Sequence, residues 1–213
     1  VQVQDIKKLK PTSRKALDWS LSKKVQKITL ASFNKLKLQK NVILVDALLG
    51  TGIKGVVKKR IYDAVKVLNI KSGKHPILSL DVPTGICSDT GSELGRAVRA
   101  NVTATFLGRK RGCYTSKGRE CSGKIRFSNL SVRQKVLNGI QPNCHIISME
   151  KGLKKLTNRD TNSHKGNYGH VFVIGGDKGF GGAAILAAKA AAKSGSGLTT
   201  LVTREEHLTA ALT

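Results

Sequence analysis

Apolar positions along this chain gather into short blocks set between glycine-bearing and strongly basic stretches. Asn41-Val42-Ile43-Leu44-Val45-Asp46 is β-branched and apolar without alternation, the pattern of a strand covered on both faces of a parallel sheet. Gly50-Thr51-Gly52 follows as a turn. Residues 61–68 then carry apolar side chains at helical spacing, and Pro76-Ile77-Leu78-Ser79-Leu80-Asp81 reads as a second buried strand. Strand, loop, helix and strand make a βαβ unit, right-handed by default. Residues 102–107 and 124–127 are further strand candidates. Upstream the pattern is weaker: residues 13–21 read as a helix with Ser13 as its cap, and residues 27–32 as a short strand.

A change of register comes after residue 134. The stretch 134–143 is polar, holds Gly139 and Pro142, and reads as the close of a domain. Residues 150–156 suggest a short linking helix, and 157–169 a linker or entry loop. His170-Val171-Phe172-Val173-Ile174 is then a new buried strand, followed by a glycine loop, an alanine-rich helix over 183–193 closed by Gly195, a strand over 198–202 and a helix starting at Glu205. The expected organisation is two α/β segments, residues 1–148 and 149–213, sharing an architecture without an internal repeat. The chain opens on Val1-Gln2-Val3, as if inside a strand, and closes on Leu208-Thr209-Ala210-Ala211-Leu212-Thr213, as if inside a helix. Both ends suggest a piece of a longer protein.

Composition adjusts this picture in one respect. Hydrophobic residues make up 39% of the 213 and aromatic residues 4%, as expected of a chain with a core. The net charge of +25 raises the class of nucleic-acid binders. Its basic residues run from Lys7 to Arg204 with no long block and little aromatic interleaving. Only Gly108-Arg109-Lys110-Arg111-Gly112 and Val57-Lys58-Lys59-Arg60 are locally dense. Solvated charged faces explain that pattern better than a nucleic-acid surface does. Cys87, Cys113, Cys121 and Cys144 include no C-x-x-C pair, which points to reduced thiols in a cytoplasmic protein rather than to zinc or a disulfide framework. No apolar run is long enough to span a membrane.

Candidate chemistry sits where strands end. Ligands of open α/β sheets bind beyond the carboxyl ends of the strands. Asp46 and Asp81 both lie there, each followed by a turn. On one rim they could bind a cation, hold a ribose hydroxyl or move a proton, or each could cap its own turn. Gly50-Thr51-Gly52-Ile53-Lys54-Gly55 could bring backbone amides to a phosphate, with Lys54 adding charge, or be a plain tight turn. Gly175-Gly176-Asp177-Lys178-Gly179-Phe180-Gly181-Gly182-Ala183 fits neither the P-loop nor the usual dinucleotide fingerprint. Close helix–strand packing accounts for it as well as anion binding does. His164 lies in a polar loop, where a histidine usually has no chemistry.

Taken in order, these segments resemble a known family. Val45-Asp46-Ala47-Leu48-Leu49-Gly50-Thr51-Gly52, Leu80-Asp81-Val82-Pro83-Thr84-Gly85 with Asp89-Thr90-Gly91, then Val102-Thr103-Ala104-Thr105-Phe106 and Gly123-Lys124-Ile125 look like the epimerase domain of bifunctional NAD(P)H-hydrate repair enzymes. His164-Lys165-Gly166, Val173-Ile174-Gly175-Gly176 and Gly182-Ala183-Ala184 look like the opening of their ADP-dependent dehydratase domain. The resemblance implies an α/β chain in which a partial Rossmann-like epimerase domain precedes the start of a ribokinase-like domain. The implied function is repair of NADH or NADPH hydrated at C6: interconversion of the R and S hydrates, then ADP-dependent dehydration of the S form. Carried across, Asp46 and Thr84 (where the family usually has serine) match potassium ligands. Gly50, Thr51, Gly52, Ile53, Lys54, Gly55 and Val56 match the substrate loop, Asp81 matches a substrate contact and is the candidate for proton transfer, and Ala183 matches a substrate contact of the dehydratase. Potassium, ADP and magnesium are the implied cofactors, and a homo-oligomer is compatible. The family's asparagine- and glycine-rich loop and the dehydratase nucleotide site have no counterpart in these residues. The rival readings are a truncated remnant without activity and a basic nucleic-acid-binding protein.

Overall fold

The structure, a computed structural model, describes residues 1, 11–23, 25–53, 55–156 and 158–212. The chain divides into two units, Val1–His145 and Ile146–Thr213. Lys54 and the opening positions 2 and 3 lie outside the described residues.

In the first unit α1 (Pro11–Ser22) buries no side chain, and α2 (Leu30–Lys35) follows it. The short strand expected over 27–32 is thus replaced by a helix start. Thr29 accepts the Ser32 N–H at 3.1 Å through its hydroxyl, capping the first turn, and Phe33 is buried beneath it. A local side-chain cap plus one buried aromatic outweighs weak strand propensity. Strand β1 (Leu44–Asp46), helix α3 (Lys59–Lys71) and strand β2 (Ile77–Leu80) form the expected βαβ unit. Ile61, Ala64, Val65 and Leu68 occupy one stripe of α3 and are its buried residues. That stripe packs with Leu44, Ile77, Val57, Val98, Ala100 and Phe33 into one core. Each large aliphatic side chain taken from water there contributes roughly 1.5–3 kcal/mol.

Strand β3 (Val102–Phe106), helix α4 (Ser116–Ser122) and strand β4 (Lys124–Ser128) complete a four-stranded parallel sheet in the order β1-β2-β3-β4. Parallel register sets Asp46 opposite Ser79 and Leu80 opposite Ala104. The position of β1 corrects one expectation. It is an edge strand, and Ile43 and Val45 are 63% and 53% exposed, so only one face is covered among the described residues. A second small core of Val82, Ile86, Ala97, Cys113 and Cys121 lies under the loop after β2.

Short helices α5 (Gln134–Leu137) and α6 (Met149–Leu153) follow, the second with Ser148 as its cap. In the second unit β5 (His170–Ile174) pairs in parallel with β6 (Leu198–Val202), joined through α7 (Gly182–Lys193). The chain then passes a short 3-10 turn into α8 (Leu208–Leu212). The stretch 157–169, expected as a loop, ends in a 3-10 turn at Lys165–Tyr168, capped by the His164 ring. No helix among the described residues is long and apolar enough to cross a membrane.

Candidate active site at the carboxyl rim of the sheet

Asp46 ends β1 and is 1% exposed. A carboxylate taken so far from water needs its lone pairs filled. Oδ2 accepts from the Ser79 hydroxyl at 2.8 Å and the Thr84 N–H at 2.9 Å. Oδ1 accepts from the Thr84 hydroxyl at 2.7 Å and, more weakly, from the Leu48 N–H at 3.3 Å. Thr84 also receives the Leu49 N–H on its hydroxyl oxygen at 3.0 Å. One buried carboxylate therefore ties together β1, β2, the turn 47–50 and the segment 82–85.

This arrangement bears on potassium. A hard cation needs a sphere of oxygen ligands with free lone pairs. The Asp46 oxygens already serve four protein donors, and the Thr84 hydroxyl accepts one N–H while donating to Asp46. As arranged, Asp46 and Thr84 do not fit a cation site, and they act as a hydrogen-bond hub. Among the described residues no group of three or more His, Cys, Asp or Glu side chains could hold a metal such as magnesium.

Asp81 is the residue after β2, on the same rim. Its φ is +71°, a left-handed conformation that costs a non-glycine residue of order 1–3 kcal/mol. The conformation is held because its N–H donates to Ala104 O at 2.6 Å on the neighbouring strand. The side chain is one-quarter exposed and forms an ion pair with Lys110, whose own side chain is 17% exposed. The Lys110 ammonium donates to Asp81 Oδ1 and, at 2.7 Å, to Phe106 O. The Phe106 N–H also approaches Oδ1, at 3.4 Å. Oδ1 is thus held by two donors from the end of β3 and just beyond it. Oδ2 faces the Gly50 backbone, where an added Cβ would stand 3.6 Å away.

The expected substrate loop lines this rim. Gly50 and Ile53 are half-buried, whereas Thr51, Gly52, Gly55 and Val56 are exposed. Its far end is anchored: Val57 N donates to Leu94 O at 2.9 Å, and Leu94 N donates to Gly85 O at 2.7 Å. Gly85 has φ +95°, and a Cβ there would lie 2.0 Å from Arg96 O, so only glycine lets this segment pass.

Asp46 and Asp81 share a rim, but different donors hold them. Ala183 lies in the other unit, exposed in the first turn of α7. The glycine loop before it is filled by its own neighbours. The Gly179 N–H donates to Glu206 Oε1 at 2.7 Å, a Cβ at Gly181 would meet the His207 ring at 2.4 Å, and one at Gly176 would meet Thr203 Oγ1 at 2.6 Å. These glycines permit close packing, and a carboxylate already sits on one loop amide. The loop as arranged does not fit the phosphates of ADP.

Two residues of the site were missed in the sequence. Ser79 left a signal, a hydroxyl inside an otherwise apolar strand, which needs a buried acceptor. Lys110 left none beyond local charge, because its pairing with Asp81 depends on β2 and β3 lying side by side. Near the rim, burial pushes the Cys113 thiol up, while the hydroxyl and amide of Thr90 hold the Cys87 thiol below its ordinary value.

Known proteins share these segments. Residues 1–112 match the family described as YjeF-related protein N-terminus, and residues 171–213 match the family described as NAD(P)H-hydrate dehydratase. The chain is 39% identical over 181 residues to the bifunctional NAD(P)H-hydrate repair enzyme Nnr of Coxiella burnetii, covering 85% of this chain and 37% of that protein. It is 36% identical over 173 residues to the protein of the same description from Vibrio cholerae, covering 80% and 34%. For that of Escherichia coli the values are 34% over 171 residues, covering 80% and 33%. The chain spans about a third of the length of these curated relatives. With its first match reaching over more than half of its residues, the chain belongs to the family of YjeF-related N-terminal domains, followed by a segment of the NAD(P)H-hydrate dehydratase family.

Proposed function

We propose that the chain serves the repair of hydrated NADH and NADPH, and that its first unit interconverts the R and S hydrates at C6. The observation that carries this reading is the Asp81 carboxylate at the strand-end rim, with one oxygen tied down and the other facing the Gly50 turn. The hydrate carries a hydroxyl on C6, which is bonded to ring nitrogen N1. Epimerisation needs the C6–N1 bond to open and close again on the other face. Opening takes the proton from the hydroxyl, forms C6=O and leaves the electron pair on N1, where conjugation with the carboxamide spreads it. In this proposal Asp81 Oδ2 accepts that hydroxyl proton and returns it on closure. The Asp46 hub fixes the two segments that face each other here, the turn 47–50 and the residues after Asp81.

ADP-dependent dehydration of the S hydrate is the companion step. It belongs to the longer protein of which this chain would be a part, since the glycine loop of the second unit does not present a phosphate site.

A single purified epimer of hydrated NADPH, incubated with the chain and followed by chromatography that separates R from S, tests the reading. Equilibration faster than in a protein-free blank is expected. Equilibration at the blank rate overturns the proposal for this chain and favours the inactive remnant.

A further inference from the structure

The geometry points to Lys110 as a catalytic acid, the donor half of a pair whose acceptor half is Asp81. Ring opening has two proton demands: one leaves the C6 hydroxyl, and one must reach N1 as the C6–N1 bond breaks. A lone carboxylate meets the first. Lys110 has the features needed for the second. Its ammonium has three N–H donors. One goes to Asp81 Oδ1 and one to Phe106 O, so among the described residues a third remains for a ligand. Its side chain is mostly but not fully buried, so the charge is shielded by protein yet reaches the rim. Among the described residues the pair therefore offers one free acceptor, Asp81 Oδ2, and one free donor, the third Lys110 N–H, on neighbouring side chains. The strained backbone at Asp81 and the return of Lys110 onto Phe106 O hold that arrangement.

The step balances without a further reactant. The hydroxyl proton passes to Asp81, the C6–N1 electron pair moves to N1, and N1 takes a proton from the Lys110 ammonium. This leaves a carboxylic acid, a neutral amine and the opened aldehyde. Rotation about C5–C6 presents the other face. Closure runs in reverse: the N1 electron pair attacks C6, the N1 proton returns to Lys110, and Asp81 gives its proton to the oxygen. Both side chains finish as they began.

This inference rests on the epimerase reading, and the test separates the two. Epimerisation is measured with the unaltered chain, Lys110→Met and Lys110→Arg, with thermal unfolding by circular dichroism as the check on folding. Lys110→Met is expected to lose about 100-fold or more in kcat, with KM changed by less than about threefold. Arginine keeps the cation and its donors but does not release a proton at accessible pH, so Lys110→Arg is expected to stay slow by about tenfold or more. Recovery of the full rate by Lys110→Arg would reduce Lys110 to holding Asp81 in place and overturn the inference, with the epimerase reading intact. A Lys110→Met variant at the unaltered rate overturns it too. Should Lys110→Met not fold, Lys110→Arg decides alone. If the unaltered chain does not outpace the blank, the epimerase reading falls and takes this inference with it.

Discussion

At the scale of the residue, Asp46 and Asp81 divide the work that one rim could have asked of either. Asp46 is enclosed by four donors, and removing its carboxylate would strand the buried Ser79 hydroxyl and Thr84 N–H and the half-buried Leu48 N–H, while the Thr84 hydroxyl keeps Leu49 O, 3.2 Å away. Asp46→Ala is expected to lower unfolding free energy by about 3 kcal/mol in urea titration, because each stranded buried group costs on the order of 1–3 kcal/mol. A loss below about 1 kcal/mol would contradict the hub. Thr84→Ser, which keeps the hydroxyl, is expected to cost far less than Thr84→Val, which deletes it. Asp81 combines backbone strain with a carboxylate that is one-quarter exposed, and the proposed proton transfer rests on that combination. The sequence showed both aspartates at strand ends. It could not show which would be enclosed, because that follows from Ser79 and Thr84 arriving from 33 and 38 residues away.

At the scale of the element, the βαβ unit was legible, since the α3 stripe and the apolar runs of β1 and β2 are local patterns. The lack of alternation in β1 misled, because an apolar run reports hydrophobicity and not what covers it; Ile43 and Val45 are exposed at the sheet edge. Residues 27–32 misled for the opposite reason, a single cap at Thr29 redirecting the chain into α2. The loop after β2 depends on Gly85, which must pass beside Arg96 O. Gly85→Ala is expected to destabilise the first unit by about 2 kcal/mol or more, from the left-handed φ and the overlap together, read as a lowered denaturant midpoint. A midpoint equal to that of the unaltered chain would contradict the packing of this loop.

At the scale of the whole molecule, the family and the α/β class were legible from motifs in order, while the state of the second glycine loop was not. Glu206 and His207, which fill it, lie beyond α7 and β6 in the chain. The four cysteines are free thiols in different settings: Cys113 and Cys121 are buried, Cys87 is half-buried and Cys144 is exposed. Burial pushes the Cys113 and Cys121 thiols up, so both stay protonated at pH values where Cys87, lowered by its Thr90 hydrogen bonds, yields thiolate. Brief alkylation of the folded chain near neutral pH, read by peptide mass spectrometry, is expected to label Cys87 and Cys144. Cys113 and Cys121 should react only after denaturation, and labelling of either in the folded chain would contradict the core under the rim.

The proposed chemistry turns on Asp81 moving the proton that opens the hydrated ring. Asp81→Asn keeps the shape of the side chain and removes its basicity, and the decisive quantity is the rate at which a single epimer of hydrated NADPH equilibrates. That rate is expected to fall at least about 100-fold below that of the unaltered chain, with unfolding behaviour preserved. A folded Asp81→Asn variant that equilibrates the epimers as fast as the unaltered chain would show that Asp81 does not move this proton.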